Sequence, residues 1–122
     1  MPRTVCVKHA SSKPVPEDGM RVLVEGRWPA GLRKEEVAAD LWLKDAAPSD
    51  ALRRWYAREP GRGNAFAARY RAELRQRPEL LRLLHELRRR GPLTLLHGMR
   101  DASRNHALVV RELLQKDKDN EP

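Results

Sequence analysis

Residues 92–114 read PLTLLHGMRDASRNHALVVRELL, and much of the architecture can be inferred from this stretch. Leu93 to Leu96 is an apolar run between a proline and a glycine, which is the pattern of a buried strand. Residues 106, 109, 110, 113 and 114 then recur at the spacing of one helix face. The stretch therefore predicts a strand, a loop and a helix, which together are half of a βαβ unit.

Polar side chains are concentrated in the predicted loop between that strand and that helix. In open α/β sheets, ligands usually bind just beyond the carboxyl end of a strand, where backbone N–H groups and the positive end of a helix dipole point. The side chains that fall there are His97, Arg100, Asp101, Ser103, Asn105 and His106. If the protein has a ligand site, the sequence places it in this loop.

The rest of the chain supplies further short strands and helices. The predicted strands are Thr4–Lys8, Met20–Val24 and Asp40–Lys44, and the predicted helices are Arg33–Ala38, a helix capped by Ser49, Asn64–Arg75 and Pro78–Arg90. We expect an α/β fold with a small, mostly parallel sheet of three to four strands and helices packed on it. A single domain over residues 1–115 is expected, followed by a disordered tail over residues 116–122, which has no apolar residue to bury.

The composition is that of a basic, foldable chain. The 122 residues carry a net charge of +8, with 25 basic and 17 acidic side chains, so a polyanionic partner is one interpretation. The arginines fall on several sides of their helices, which predicts only weak, non-specific nucleic-acid binding. No long apolar run or signal-peptide core is present, so we expect a cytoplasmic protein without a membrane partner. The single Cys6 allows no internal disulfide.

Several motifs follow one another in order over residues 4–115. They are Arg21-Val22-Leu23-Val24, Trp28-Pro29-x-Gly31, Asp40-x-Trp42-x-Lys44, Ala47-Pro48-Ser49, Leu52-Arg53, Trp55, Phe66, Tyr70, Glu73-Leu74, Leu93-Thr94-Leu95-Leu96, Asp101 and Asn105-His106-Ala107. With them the chain resembles the YeaO-like branch of the domain-of-unknown-function family 488 (DUF 488). The resemblance implies an α/β fold, and it brings no catalytic residues to carry over.

Two departures from the family pattern concern charge. The family typically has an Asp-Arg pair after the second strand and an arginine between the proline and the glycine of the Trp-Pro motif. This chain has Glu25-Gly26 and Ala30 at those places, and Arg27 supplies part of the missing charge. If the family's arginines bind an anion, this chain binds it less well or with the charge displaced by one position.

His106 has two interpretations that the residues leave open. It lies on the buried stripe of the last helix, near the helix N-terminus. One interpretation is a histidine that hydrogen-bonds a loop and holds helix and strand in register. The other is a general acid/base or an anion ligand. Asp101 and His97 are further catalytic candidates, but their loop spacing is weak support for a metal site, and we expect no metal and no cofactor.

Two functional hypotheses follow. The first is a small-molecule site for a nucleotide or other phosphate-like anion at the carboxyl end of strand 93–96; its candidate ligand-binding residues are Arg21, Arg27, Trp28, Arg100, Asn105 and His106. The second is a non-enzymatic interaction module that binds nucleic acid or an acidic protein through its Arg-rich helices. The sequence leaves open whether the protein is an enzyme, which ligand it takes and its oligomeric state.

Overall fold

The computed structural model describes residues 5–58, 61, 63–99 and 106–119. The strands are β1 (Val5–His9), β2 (Met20–Leu23), β3 (Leu41–Trp42) and β4 (Leu93–His97), and the helices are α1 (Lys34–Val37), α2 (Asp50–Arg58), α3 (Gly63–Arg75), α4 (Pro78–Arg90) and α5 (His106–Asp119). Among these residues, no helix is long and apolar enough to cross a membrane. The predicted α/β class is confirmed.

The strands form one parallel sheet in the order β1-β4-β2-β3. Leu93 is paired with Val5 on one side and with Met20 on the other, so β4 lies between the first two strands of the chain. All five residues of β4 are buried, because both edges of the strand are paired and both faces are covered. Strand β2 is an interior strand as well, between β4 and β3.

The two faces of the sheet are covered unequally. Alternate residues of the strands, Val22 and Leu95 among them, point to a large core filled by α3, α4 and α5; we call this the helical face. Leu23 and Leu96 point to a smaller core closed by Val37 of α1, on what we call the opposite face. The long helices α3, α4 and α5 therefore all pack their apolar sides on the helical face.

Loops diverge at the carboxyl end of β2. The chain leaves β2 towards α1 on the opposite face, whereas it leaves β3 towards α2 and β4 towards α5 on the helical face. Adjacent strands whose connections turn to opposite faces leave a crevice between their loops, and ligands bind there in open α/β sheets. The described part of the fold thus has a crevice at the end of β2, the position at which open α/β sheets usually bind ligands.

Several predicted element boundaries differ from the structure, and three of these differences affect β3, the end of β4 and the C-terminal helix. Strand β3 has only two residues, because Lys44–Ala46 turns into a 3-10 helix that leads to α2. His97 is the last residue of β4 rather than part of the loop. Helix α5 remains helical to Asp119, beyond the expected start of the tail; Lys116 Nζ lies 3.0 Å from Glu112 Oε1 one turn earlier, which supports the extension. Residues 120–122 lie outside the described residues.

A buried ion-pair network closes the amino end of the sheet. Asp18 and Arg21 are each 3% exposed, and Arg21 Nη1 donates to Asp18 Oδ2 at 2.7 Å. Arg21 Nη2 also donates to the carbonyl of Val37 at 2.8 Å, and Lys8 donates to Asp18 Oδ1. Burial by itself would raise the pKa of Asp18, but the hydrogen bonds from Lys8 and Arg21 outweigh it and hold that pKa below its usual value.

Candidate functional site

His106 joins the start of α5 to the end of β2. Its side chain is 6% exposed, and Nε2 donates to the carbonyl oxygen of Val24 at 2.5 Å. The ring meets Tyr70 edge to face, with 6.0 Å between centroids, and Nε2 lies 3.7 Å from Glu25 Oε1. This contact is the loop hydrogen bond that the sequence left as one of its two interpretations.

The charge state of His106 follows from these surroundings. Burial lowers the pKa of His106 below its usual value, while the Glu25 carboxylate and the bond to Val24 act in the raising direction and Arg53 adds to the lowering. The imidazole is therefore neutral at pH 7, with its proton on Nε2 and engaged by Val24.

His97 lies beside it at the end of β4. Its side chain is 2% exposed, and Nδ1 accepts a hydrogen bond from the backbone N–H of Met99 at 3.1 Å. The ring also meets His9 edge to face at 5.4 Å. Burial, with the charges of His9 and His106 acting in the same direction, lowers the pKa of His97 to about 4. Two neutral histidines thus pack where the strands end.

Glu25 ties three strand ends together. Its Oε2 accepts the backbone N–H of Gly98 at 2.7 Å, directly after β4. Its backbone carbonyl accepts the indole N–H of Trp42 at 2.6 Å, at the end of β3. The carboxylate therefore already fills the place next to Gly98 and His106, where the sequence predicted an external anion.

The structure separates the predicted site residues. Arg21 is in the ion-pair network at the other end of β2 and does not reach the crevice. Trp28 is half-buried on the opposite face, where its indole donates to the carbonyl of Leu32 at 2.7 Å and its ring meets Trp42 at 5.4 Å. Arg27 is exposed at the crevice. The predicted site residues that lie outside the described residues are Arg100, Asp101 and Asn105, with Ser103.

A basic cleft of about 290 Å³ lies beyond the ends of β2 and β3. We use "basic cleft" for the space among the cations Arg27, Lys44, Arg53 and Arg77 and the acids Asp45 and Asp50; its floor is formed by Gly26, Ala47, Pro48 and Ser49. A second space of about 340 Å³ adjoins it and shares Arg27, Asp50 and Arg53, with Arg54 added. Cations outnumber acids in both.

Helix α2 begins at the floor of the basic cleft. Ser49 Oγ accepts the backbone N–H of Leu52 at 3.1 Å, which makes Ser49 the N-cap that the sequence predicts. Glu73 of α3 accepts both the N–H of Ser49 at 2.9 Å and its hydroxyl at 2.5 Å. The capped start of α2 is therefore fixed to the rest of the helical face, with its N-terminal peptide groups beside the cleft.

Two arginines of the cleft donate hydrogen bonds to acceptors within the protein. Arg53 Nη2 donates to Asp50 Oδ1 at 3.0 Å and lies so close to Gly26 that a Cβ there would be 3.2 Å from it. Arg77 Nη1 donates to the carbonyls of Asp45 at 2.5 Å and Ala47 at 3.1 Å. The two carbonyl acceptors position the Arg77 guanidinium group in advance of any ligand, which lowers the entropic cost of binding. The Arg53–Asp50 pair is exposed and constrains Arg53 only weakly.

Sequence reasoning missed Lys44, Arg53 and Arg77 as site residues. The signal that could have indicated this site is that two predicted strands end at the same edge of a parallel sheet. Gly26-Arg27 follows one of these strands, and a capped helix follows the next. Within the described part of the chain, no three His, Cys, Asp or Glu side chains form a group that could hold a metal ion.

A larger groove of about 810 Å³ runs along the other side of Lys44, Asp45 and Arg77. Besides these three residues, its lining consists of Trp42, Leu43, Gln76, Pro78, Glu79, Leu80 and Leu83. We call this space the apolar groove. It lies between the edge strand β3 and the first turns of α4.

Comparisons with known proteins identify the family. The chain is 42% identical over 99 residues to uncharacterised proteins of Mycobacterium tuberculosis and Mycobacterium bovis, which covers 81% of this chain and 83% of each relative. It is 37% identical over 98 residues to the uncharacterised protein YeaO of Escherichia coli, covering 80% of this chain and 85% of YeaO. No solved structure shows a significant match. Because a family model described as "Inactive DUF488-N3 subclade" matches residues 4–122, the chain belongs to that subclade, and its resemblance to the YeaO-like branch of DUF 488 is confirmed.

Proposed function

We propose that the protein binds a small phosphate-like anion in the basic cleft. The observation that carries this proposal is the convergence of Arg27, Lys44, Arg53 and Arg77 on one cleft at the crevice beyond β2 and β3. Parallel sheets bind their ligands at such a crevice. The proposed ligand is the phosphate-like anion expected from the sequence. The proposed site lies nearer β3 than the site expected at the end of strand 93–96.

The contacts of Glu25 explain the displacement. The peptide N–H of Gly98 offers an anion position at the end of β4, but Glu25 occupies it at 2.7 Å. An added anion there would meet a carboxylate of the same sign. The basic cleft has an excess of cations, so an anion is favoured on the β3 side. Contacts from Arg100 and Asn105 to the same ligand remain a prediction.

The cationic groups of the cleft suit oxyanions. A guanidinium group offers paired N–H donors whose geometry matches the oxygens of a phosphate, and such charged hydrogen bonds are among the strong ones. Arg77 is positioned by the backbone carbonyls of Asp45 and Ala47. The start of α2 adds peptide N–H groups and the positive end of its dipole.

Binding without catalysis is the form of the proposal that the contacts support best. His97 and His106 are the candidates for a general base, but burial lowers the pKa of both side chains and makes them weak bases. One ring nitrogen of each is also engaged in a hydrogen bond within the protein. The family description also calls the subclade inactive. The proposal therefore gives the cleft a binding role and needs no reacting group.

The test is calorimetric titration of the full chain with inorganic phosphate and pyrophosphate. Replacing Arg27 and Arg53 together by alanine should weaken binding at least about tenfold, since a lost charged hydrogen bond costs about 1.5–3 kcal/mol. The matched control is the double replacement of Arg33 and Arg89 by alanine, which removes the same charge from exposed places outside the cleft. Equal weakening by both double variants, or no binding by the unaltered protein, refutes the proposal.

A polyanion is a second candidate ligand, favoured by one specific feature. Arg54 and the guanidinium groups of Arg27 and Arg53 surround the adjoining 340 Å³ space, which extends the cationic surface along α2. A nucleic-acid backbone on this surface should bind weakly and without base preference. Its affinity for single-stranded oligonucleotides should fall steeply with salt, because each neutralised phosphate releases counterions.

A further inference from the structure

The basic cleft and the apolar groove are adjacent spaces, separated by one partition of shared residues. Lys44, Asp45 and Arg77 line both spaces. On the cleft side these residues face further cations. On the groove side the lining continues to leucines of α4 that the cleft does not share. A molecule of sufficient length could contact the polar and the apolar space together across this partition.

Trp42 of the edge strand also lines the groove, and contacts on the opposite face hold its indole in position. The indole N–H of Trp42 donates to the carbonyl of Glu25 at 2.6 Å, and the ring meets Trp28 edge to face at 5.4 Å. Lys44 Nζ lies over the same ring, 4.4 Å from its centroid. Lys44 thus contacts the Trp42 ring and lines both the groove and the cleft.

The α4 side of the groove presents Leu80 and Leu83 beside Gln76 and Glu79, and it is open to solvent. Leu83 is one of the exposed large apolar side chains of the described residues, at 39% exposure. Leu43 and Leu80 are partly buried beside the main core and line the groove with it. The volume of about 810 Å³ is within the range of small-molecule sites, which are mostly apolar with a few polar groups at one end.

We propose that the two spaces form one bipartite site for a phosphate ester or anhydride whose other end is a planar, largely apolar group, as in a nucleotide. The phosphate groups lie in the basic cleft and the planar group lies in the groove, between the edge strand at Trp42 and Leu83 of α4. This inference rests on the proposed anion binding and adds the substrate class to it. The shared partition is the reason to assign the groove to the same ligand.

The experiment compares two probes of similar charge on the full chain, inorganic pyrophosphate and a nucleoside diphosphate. The nucleoside diphosphate should bind at least about tenfold tighter by calorimetry, a gain of about 1.4 kcal/mol. It should also shift the indole N–H signal of Trp42 in the NMR spectrum more than pyrophosphate does. Leu83→Glu should remove this advantage and leave pyrophosphate binding nearly unchanged, because Leu83 does not line the cleft.

Val15→Glu is the matched control, since Val15 is 40% exposed and lies in the loop before β2, outside the groove. It should keep the advantage of the nucleoside diphosphate. Equal affinity for the two probes would overturn the bipartite site while anion binding in the cleft stands. Failure of both probes to bind would overturn the proposed function together with this inference.

Discussion

As the pH falls, protonation of His97 should destabilise the protein at pH values above those at which the carboxylates become protonated. The folded state lowers the pKa of His97 from 6.5 to about 4, because the ring is buried beside His9 and His106. Between those two pH values the unfolded chain binds a proton that the folded chain does not bind. The stability that neutral His97 contributes is thus complete above pH 6.5 and is lost as the pH falls towards 4.

The size of the effect follows from the shift. Stability changes by about 1.4 kcal/mol for each proton and pH unit, so lowering the pH from about 6.5 to about 5 costs up to about 2 kcal/mol through His97 alone. Burial lowers the pKa of His106 in the same direction and adds to the loss. The lowered pKa of Asp18 acts only below its ordinary value of 3.8, outside this window.

His97→Asn is the informative variant, since an asparagine oxygen can still accept the N–H of Met99 but cannot be protonated. Urea unfolding at about pH 6.5 and about pH 5 should show a loss of stability that is smaller than in the unaltered protein by up to about 2 kcal/mol. Val110→Ala controls for a merely weaker core and should keep the original pH dependence. A His97→Asn protein that loses as much stability as the unaltered protein would refute the reasoning.

Three further variants test the packing around the site and the sheet. Gly19→Ala should destabilise by at least about 1–3 kcal/mol, measured by urea unfolding, since Gly19 has φ +62° and an added Cβ would lie 2.2 Å from the carbonyl oxygen of Pro92; stability equal to the unaltered protein would contradict this. Ser49→Ala should lower stability by about 1 kcal/mol through loss of the α2 cap, and Ser49→Asp should recover less than usual because Glu73 lies against that position. Tyr70→Phe should cost about 1 kcal/mol or more in a thermal melt, because the buried hydroxyl donates to the carbonyl of Ala46; an unchanged melting temperature would show that this bond contributes little.

The local elements could be predicted because their signals are short-range. Pro78 in the first turn of α4 and the cap at Ser49 fix helix starts within one or two residues, and the apolar run of β4 identifies a buried strand. Such features depend on neighbours in the sequence. The order of the strands in the sheet depends on distant pairings instead, and no periodicity of the chain encodes it.

The candidate site was harder to predict for a related reason. Arg21 was expected to bind the anion, yet alternation along β2 and the nearby Asp18 direct it into the opposite face. Arg77 contributes to the basic cleft across a sequence separation of 32 residues from Asp45. A site assembled from loops of separate strands becomes visible only when the strand order is known.

The position of β4 determines when the sheet can fold during synthesis. Strands β1 and β2 do not pair with each other, and both pair with β4, whose first residue is Leu93. A nascent chain that ends before Leu93 can form helices but has no central strand on which to assemble the sheet. Assembly must therefore wait until most of the chain has left the ribosome, and until then β1 and β2 expose unpaired edges. Shielding of those early strands by a ribosome-associated chaperone should raise the folded yield more than it would for a sheet whose strands pair in the order of synthesis.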